Sequence, residues 1–373
     1  MKILISGGHV TPAISLIEHT QTLSQPPTIV FVGRVYSQAY QQQLSTEFEQ
    51  VSARGVKFIP LSTGKFAQRN LTQIIQQSLL FIGGFLKSFL IVGKEQPDVF
   101  LSFGGYMAVP LALASWLWGI PIVTHEQTRT VGLANSFIAR LAKAVAISYP
   151  ETRSNFPSDK LTLTGNPIRA TVLSQNAPQP SWYTTTDKLP ILYITGGSQG
   201  SEVINAVVSQ TIKQISKSWI VIHQCGLSTV QRNYIRELTG VKAELPRTQQ
   251  NHYMIREWVS ETELAWIYSH ATGAVSRAGA NTAEELAQRC VPTIFIPLPF
   301  AHNQEQLENA RALAEIGGAV ILPQKDLSPE SLQEKLTDLL AHAGKMRKKL
   351  TTLTHKTSAA AQLWKVVLRS ATP

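Results

Sequence analysis

Short apolar runs alternate with longer stretches of helical periodicity along the first half of the chain. The apolar runs predict strands at Ile3–Ser6, Thr28–Val32, Val56–Ile59, Val99–Ser102, Ile120–Val123 and Ala144–Ile147. Helices are expected in the intervals, the longest at about Leu71–Gly93. Strands and helices that alternate in this way are typical of a parallel sheet with helices on both faces. The first half of the chain is therefore predicted to be an α/β domain.

The same alternation begins again after a polar interruption. The segment Ser174–Asp187 is rich in Pro, Gln, Ser and Thr, and we interpret it as a linker. Strands of the second half are predicted at Ile191–Ile194, Trp219–His223, Met254–Trp258, Gly273–Val275, Thr293–Ile296 and Ala319–Leu322, with a helix at Ser201–Ile215. The second half is therefore predicted to repeat the plan of the first.

The predicted fold class is α/β, with two Rossmann-like parallel-sheet domains that face each other across a cleft. We place the first domain at residues 1–165 and the second at 166–355. The last helix, at about Ser358–Leu368 within residues 356–373, is expected to pack back on the first domain. Open sheets of this kind bind ligands at the carboxyl ends of their strands, so we expect the ligand site in the cleft.

One stretch, Val99–Thr124, has no charged residue and is long enough to cross a bilayer. Gly104-Gly105, Pro110, Gly119 and Pro121 interrupt it, however. The interruptions favour a strand, a glycine turn, a helix at about Ala108–Trp118 and a second strand inside a covered sheet.

The charge balance indicates an anionic partner. The 373 residues carry a formal net charge of +10, and 43% of them are hydrophobic. Nucleic acid, acidic lipid and phosphorylated substrates all fit this charge. Nucleic acid is disfavoured because the basic residues are scattered apart from Lys345–Lys349, and no nucleic-acid-binding motif accompanies that run. The two cysteines, Cys225 and Cys290, stand far apart, which favours a reducing compartment, and we expect no signal peptide before the first strand.

Four glycine turns follow predicted strands, at Gly7-Gly8, Gly104-Gly105, Gly196-Gly197 and Gly279. Glycine lets the backbone approach an oxyanion, and the free N–H groups at the start of the next helix attract negative charge. The turns predict diphosphate cradles, and plain packing turns are the alternative. None matches the GxGxxG fingerprint or a Walker A loop, which disfavours dehydrogenases and ATPases.

Acid–base candidates stand at the same strand ends and helix starts. His9 begins a helix, where the dipole disfavours the imidazolium, so its neutral ring can accept a proton; a capping role is the alternative. His125-Glu126 follows a strand, and a structural hydrogen-bonded pair is the alternative to a catalytic one. Glu284-Glu285 open a helix, and a carboxylate one turn into it can accept both hydroxyls of a ribose, whereas surface acids that complement the helix dipole are the alternative.

We expect neither a metal ion nor a cofactor. The sequence has no acidic pair of the DxD type at a strand end and no His/Cys/Asp cluster with metal-ligand spacing. A diphosphate leaving group is therefore expected to be neutralised by main-chain N–H groups.

The predicted helix at Leu71–Gly93 has more apolar surface than one core-facing stripe needs. Its apolar residues are Ile74, Ile75, Leu79, Leu80, Phe81, Ile82, Phe85, Leu86 and Phe89, and the nearby cations are Lys65, Arg69, Lys87 and Lys94. Apolar area ringed by cations suits contact with an anionic membrane surface, and an ordinary buried helix is the alternative.

Several motifs together resemble the MurG family of glycosyltransferases, the UDP-N-acetylglucosamine–N-acetylmuramyl-(pentapeptide) pyrophosphoryl-undecaprenol N-acetylglucosamine transferases. They are SGGHVTPA at Ser6–Ala13, FGGYMAVP at Phe103–Pro110, HEQ at His125–Gln127, GNPIR at Gly165–Arg169, GGSQG at Gly196–Gly200, SRAGANTAEE at Ser276–Glu285 and NQEQLENA at Asn303–Ala310. Each is weak alone, but their order and spacing over almost the whole chain are specific.

The resemblance implies a GT-B fold and an inverting transfer of N-acetylglucosamine from UDP-GlcNAc to the C4 hydroxyl of the muramoyl sugar of lipid I, giving lipid II. It implies catalytic roles for His9 and Glu126 and an acceptor site at His9, Gly104, Gly105, Tyr106 and His125. The implied donor contacts are Ser6, Gly7, Gly8, Thr128, Arg169, Gly197, Ser198, Gln199, Val259, Ala280, Asn281, Thr282, Glu285 and Gln306. It also implies a peripheral enzyme on the cytoplasmic face of a bacterial membrane, docked through Leu71–Gly93.

Two departures from the family pattern bear on donor choice. The first glycine loop is two residues shorter than the usual GGTGGH, and the usual HEQN is HEQT, with Thr128 in place of an amide. A hydroxyl cannot reproduce the paired contacts of an amide. The alternatives are therefore a related enzyme for another UDP-sugar or membrane acceptor, a silent nucleotide-sugar-binding protein, and a UDP-sugar epimerase on the same fold.

Overall fold

The computed structural model describes residues 1–36, 44–64, 71–197, 199–228, 232–301, 304–353 and 358–371, with only the backbone described for 71–73. The chain divides into two compact units. The first comprises Met1–Ala170 with Thr357–Pro373, and the second comprises Thr171–Lys356.

The first unit is built on a parallel sheet whose strands, in the described residues, run in the order β3-β2-β1-β4-β5-β6-β7. The strands are β1 (Lys2–Ser6), β2 (Thr28–Gly33), β3 (Lys57–Pro60), β4 (Val99–Ser102), β5 (Ile122–Glu126), β6 (Ala144–Ile147) and β7 (Leu161–Leu163). The helices are α1 (Val10–Gln21), α2 (Thr46–Ala53), α3 (Leu71–Glu95), α4 (Ala108–Leu117) and α5 (Leu133–Leu141), followed by the short α6 (Ala170–Leu173) at the boundary between the units.

Both faces of this sheet are buried. Ile3 and Ile5 of β1 pack into one apolar cluster and Leu4 into another, because successive strand residues point to opposite faces. The final helix, α14 (Ala359–Ala371), belongs to the first of these clusters, where Leu363 and Val367 are fully buried. The C-terminal segment thus completes the core of the first unit.

The second unit repeats the plan, with the strand order β10-β9-β8-β11-β12-β13 among its described residues. Its strands are β8 (Ile191–Thr195), β9 (Ile220–Gln224), β10 (Tyr253–Arg256), β11 (Ala271–Ser276), β12 (Thr293–Phe295) and β13 (Ala319–Ile321). Its helices are α7 (Glu202–Ile215), α8 (Tyr234–Ala243), α9 (Arg247–Gln250), α10 (Glu261–His270), α11 (Ala280–Gln288), α12 (Glu305–Glu315) and α13 (Pro329–Leu350). The prediction of two Rossmann-like parallel sheets is confirmed, whereas the expected cleft stays a prediction.

Two local predictions are wrong. Strand β5 runs on through His125 and Glu126, which were expected to follow it, because both side chains are buried and hydrogen-bonded within the fold. The segment 174–187 has no regular secondary structure, but it is not a free linker. Its Trp182 and Tyr183 pack on the core of the second unit, with the Tyr183 and Trp266 ring centroids 4.6 Å apart.

Candidate active site

The first glycine turns lie on both sides of the point where the strand order of the first sheet reverses. Gly7-Gly8 follows β1 and Gly104-Gly105 follows β4, and these two strands are neighbours. The turns touch, since a Cβ atom on Gly8 would lie 2.6 Å from the Gly104 carbonyl oxygen. Crevices at such reversal points are where open α/β sheets bind ligands.

His9 stands at the edge of this pair of turns. It is exposed and precedes the first residue of α1, and its Nδ1 lies 3.1 Å from the carbonyl oxygen of Phe103. A carbonyl only accepts, so the hydrogen of the neutral ring is assigned to Nδ1, and Nε2 keeps its lone pair. The structure thus gives His9 the tautomer that a base needs.

His125 lies inside the protein, where it supports the turns. Its Nε2 donates to the Gly165 carbonyl oxygen at 3.2 Å, and its ring packs edge-on against Phe103. Burial lowers the pKa of His125 to about 4, opposed by the bond to Gly165 and the charge of Glu126 and reinforced by His9. Because the residue is fully buried, this geometry does not support the predicted direct contact between His125 and the acceptor.

Glu126 fastens the loop that follows β5. Its carboxylate accepts from the amides of Thr128 and Gly132, each at 3.0 Å, from the Thr128 hydroxyl at 2.7 Å and from Asn135 Nδ2 at 2.9 Å. Both oxygens are occupied and the residue is 1% exposed. These contacts fit the structural alternative and do not support the catalytic role predicted for Glu126.

Thr128 is committed to the same loop. Its single hydroxyl proton faces two acceptors, the Glu126 carboxylate and the Thr130 carbonyl oxygen. Towards a ligand, the Thr128 hydroxyl can therefore accept a hydrogen bond but has no proton left to donate. Thr128 therefore occupies the position of the amide side chain in the usual HEQN motif but lacks the donor capacity of that amide.

The remaining predicted residues of the first unit are Ser6, Tyr106 and Arg169. Ser6 ends β1, and its buried hydroxyl has no hydrogen-bond partner within the described chain. Tyr106 follows the second glycine turn, with the Arg34 guanidinium carbon 5.9 Å from its ring centroid. Arg169 is buried directly before α6, and the adjacent Ile168 carbonyl accepts from Ser15 of α1 at 2.6 Å.

The second unit has the same arrangement at its own reversal point, between β8 and β11. The Gly197 amide donates to Thr195 Oγ1 at 3.0 Å, and the Gly200 amide donates to the Gly197 carbonyl at 3.1 Å. The turn leads directly into α7, whose N-cap is Ser201. The positive end of that helix therefore lies beside the glycine turn. Gln199 is exposed in this turn, and Ser198 lies outside the described residues.

The other predicted donor residues follow the carboxyl ends of the next strands. Ala280, Asn281 and Thr282 form the first turn of α11 after β11. Val259 is buried just before the capping box of α10, and Gln306, near the start of α12, accepts from the Leu298 amide at 2.9 Å.

Glu285 lies in the second turn of α11 and points inward. It is 3% exposed, and the Tyr268 hydroxyl donates to its Oε2 at 3.5 Å. The alternative interpretation of Glu285, as a surface acid that complements the helix dipole, is therefore wrong.

Two charged residues of these sites were not predicted. Arg277 directly follows β11 and is 9% exposed. It donates to Ser201 Oγ at 2.8 Å, to Gln324 Oε1 at 2.7 Å and to the Ile296 carbonyl at 2.9 Å. Burial lowers its pKa. A cation after an apolar strand, inside the SRAGANTAEE motif, was the available signal. The second residue, Glu47, lies against the first glycine turn and had no such signal.

No group of three or more His, Cys, Asp or Glu residues that could hold a metal ion occurs in the described part of the chain. The polar groups described at the two glycine-turn sites are main-chain amides, hydroxyls, imidazoles, carboxylates and the guanidinium of Arg277.

Helix α3 presents large apolar side chains to solvent, while Val92 on its inner face is buried in the core of the first unit. Leu79 is 65% exposed and Leu90 is 70% exposed, and the other exposed members are Ile74, Ile75, Leu80, Ile82 and Leu86. On the opposite face Ser88 is fully buried and donates to the Gly84 carbonyl at 2.8 Å. Phe81, Phe85 and Phe89 are partly buried, and Lys65 and Arg69 lie outside the described residues.

By length and composition, one helical segment of the described chain, Ile74–Glu95, could cross a membrane, and 11% of its most apolar window is buried. Its end is fixed to the first sheet, because Glu95 accepts from Lys57 at 2.6 Å and lies 3.6 Å from the Lys2 ammonium. The bond to Lys57 lowers the pKa of Glu95.

The chain matches two family models. Residues 6–147 match the glycosyltransferase family 28 N-terminal domain, and residues 191–363 match the glycosyltransferase family 28 C-terminal domain. The chain is similar to the UDP-N-acetylglucosamine--N-acetylmuramyl-(pentapeptide) pyrophosphoryl-undecaprenol N-acetylglucosamine transferase of Histophilus somni. The two are 30% identical over 355 residues, which is 93% of each chain.

Solved structures share the fold over nearly the full length. Acinetobacter baumannii MurG matches with a TM-score of 0.70 at 23% identity, covering 99% of each chain. The UDP-GlcNAc 2-epimerase of Neisseria meningitidis matches with a TM-score of 0.66 at 15% identity, covering 99% of this chain and 100% of that one. The structural likeness shows the fold alone, but with the sequence relationship it leads to one conclusion. The chain belongs to the MurG family of N-acetylglucosamine transferases, within glycosyltransferase family 28.

Proposed function

We propose that this protein transfers N-acetylglucosamine from UDP-GlcNAc to the C4 hydroxyl of the muramoyl sugar of lipid I, with inversion, to give lipid II. The observation that carries the proposal is the 30% identity to a named transferase over 93% of each chain. The fold alone would not carry it, since an epimerase of nucleotide sugars has the same fold. Glycine turns beside both strand-order reversals support it, because each can receive a phosphorylated group.

The second unit is proposed to hold the donor. Its glycine turn and the start of α7 can neutralise the departing diphosphate through main-chain N–H groups. The buried cation of Arg277, which donates to Ser201 at the N-cap of α7, adds positive charge beside this helix start. Glu285 is proposed to accept the ribose hydroxyls, for which its carboxylate has the capacity.

The first unit is proposed to hold the acceptor, with His9 as the base. The acceptor hydroxyl oxygen attacks the anomeric carbon of the donor sugar while the bond from that carbon to the UDP oxygen breaks. The hydroxyl proton passes to Nε2 of His9, which is the nitrogen left unprotonated by the Phe103 contact.

Helix α3 is proposed to dock this unit on the cytoplasmic face of the cell membrane as a peripheral contact. The exposed leucines and isoleucines supply apolar area, and the nearby Lys87 and Lys94 suit anionic lipid. The buried inner face, with Ser88 and Val92, and the Glu95–Lys57 ion pair tie the helix to the first unit, which favours lying on the bilayer over crossing it. No nucleic-acid partner is proposed.

A donor panel tests the proposal. UDP release is measured from UDP-GlcNAc, UDP-glucose and UDP-galactose, with and without a lipid I analogue. We expect release from UDP-GlcNAc only when the acceptor is present, and His9→Ala should lose most of the turnover while keeping UDP affinity nearly unchanged.

A related enzyme for another UDP-sugar or acceptor is the second candidate, and the committed hydroxyl of Thr128 favours it. Faster release from another donor would support that candidate. Consumption of UDP-GlcNAc without acceptor would indicate epimerase chemistry, and no turnover with any donor would indicate a silent binding protein.

A further inference from the structure

Glu47 is a buried carboxylate next to the first glycine turn. It lies in the first turn of α2 and is 7% exposed. A Cβ atom on Gly7 would lie 2.8 Å from its Oε2, and a Cβ atom on Gly33 would lie 2.8 Å from its Oε1. The carboxylate therefore fills space that is open because Gly7, directly after β1, and Gly33, the last residue of β2, have no side chain.

The carboxylate is placed to join two neighbouring strand ends. The Arg34 amide, after β2, donates to Oε1 at 2.5 Å. Burial raises the pKa of Glu47, and this is opposed by the Arg34 amide, the Arg34 guanidinium charge and the Gly8 amide. An ionised carboxylate between main-chain N–H groups is among the stronger hydrogen-bond acceptors in proteins.

The start of α2 is itself fixed to the chain that follows β2. Ser45 donates its amide to the Val35 carbonyl at 2.8 Å and its hydroxyl to the Arg34 carbonyl, and it accepts from the Phe48 amide at 3.1 Å. Because Glu47 stands two residues further on, its backbone cannot drift away from the glycine turn without breaking these bonds.

The glycine turn controls where His9 stands. Gly8 has φ of +145° and contacts Gly104 on one side, while Glu47 lies against Gly7 on the other. His9 is the next residue along the chain, and its Nδ1 lies 3.1 Å from the Phe103 carbonyl oxygen. A shift of about 1 Å in a catalytic group can cost roughly 100-fold in rate.

From these contacts we infer that Glu47 is a positioning residue for the transfer reaction: it holds the Gly7-Gly8 turn, and through it His9, in the geometry for proton acceptance. The inference rests on the proposed function, in which His9 is the base. Glu47 does not touch the substrates in this scheme.

A double-mutant cycle tests the inference. Glu47→Gln should lower kcat roughly 10- to 100-fold with an unchanged KM for UDP-GlcNAc. In a His9→Ala background the same change should lower kcat less than about twofold, because coupled residues are not additive. Glu49→Gln is the matched control, since Glu49 is exposed on the same helix and loses the same charge. Glu47→Asp, which withdraws the carboxylate but keeps its charge, carries the same test if the glutamine variant does not fold.

Additive losses, or unchanged kcat in Glu47→Gln, would overturn the inference while leaving the proposed function intact. Full turnover in His9→Ala would instead remove the base assignment, and with it the inference. The NMR signals of the His9 ring give a reading that needs no turnover. They should move in Glu47→Gln and stay in place in Glu49→Gln, and an unmoved His9 signal in both would also overturn the inference.

Discussion

Gly8 and Gly104 meet so closely that a Cβ atom on Gly8 would lie 2.6 Å from the Gly104 carbonyl oxygen. The two residues follow different strands, so this contact fixes the spacing of the two glycine turns in the first unit. Gly8 also has φ of +145°, a conformation that side-chain-bearing residues rarely adopt.

Gly8→Ala should therefore abolish most turnover and lower the free energy of unfolding by more than the roughly 1–3 kcal/mol that a sparsely populated backbone conformation alone costs. Steady-state rates and denaturant unfolding check both effects. Gly119→Ala is the matched control, because Gly119 has φ of +70° but nothing within 4 Å of a Cβ atom. Equal behaviour of the two variants would mean that the Gly104 contact is unimportant.

Glu126→Gln should destabilise the protein by about 1–3 kcal/mol, because an amide nitrogen would replace an oxygen that accepts hydrogen bonds. Unfolding by denaturant measures the loss, and kcat is measured on the folded protein. A large fall in kcat without loss of stability would restore the catalytic role that the sequence predicted for Glu126.

Glu285→Ala should weaken UDP binding at least tenfold, since a lost hydrogen bond to a charged group is worth roughly 1.5–3 kcal/mol. Titration calorimetry with UDP measures the change. Glu284→Ala is the control. The Glu284 carboxylate lies next to Glu285 in the sequence, but it accepts from Gln288 on the same helix and is not buried. Equal weakening in both variants would contradict the ribose role.

Replacing Leu79 and Leu86 together by Gln should weaken binding to anionic vesicles roughly 100-fold or more, because each buried leucine contributes about 1.5–3 kcal/mol. Co-sedimentation with vesicles checks this, and turnover of a soluble acceptor analogue should be unaffected. Leu340→Gln removes a partly exposed leucine of the second unit and should change nothing. Undiminished vesicle binding would place the docking surface elsewhere.

Stability should fall as the pH drops from about 6.5 towards 4. Burial lowers the pKa of His125 to about 4 and that of His223 to about 3. In this pH range the two histidines become protonated in the unfolded chain but stay neutral in the folded chain, so a lower pH favours unfolding. For His125 the full effect is roughly 3 kcal/mol. Denaturant unfolding at several pH values measures it, and His125→Gln should have a shallower slope; an unchanged slope would contradict the assignment.

The sheets were predictable because buried parallel strands are almost purely apolar, and the glycine turns marked their carboxyl ends. The end of β5 was missed because Thr124, His125 and Glu126 are polar, and only the folded chain supplies their partners.

The partners of the site residues were less predictable than the residues themselves. The resemblance singled out His9, but its tautomer depends on Phe103, which is far away in the sequence. Glu47 reaches the first glycine turn from α2, the helix that follows β2, and no local sequence pattern marks it. The hydrogen bond between Glu126 and Thr128 was missed for the same reason, because it cannot be deduced from the order HEQT alone.

Helix α14 brings the C-terminal segment back to the first unit, where Leu363 and Val367 are buried against the first sheet. An exchange of halves between related transferases consequently needs two junctions. A hybrid joined only near residue 170 would carry a foreign C-terminal helix in its first unit, and mismatched side chains there would harm folding before any change of specificity could be seen.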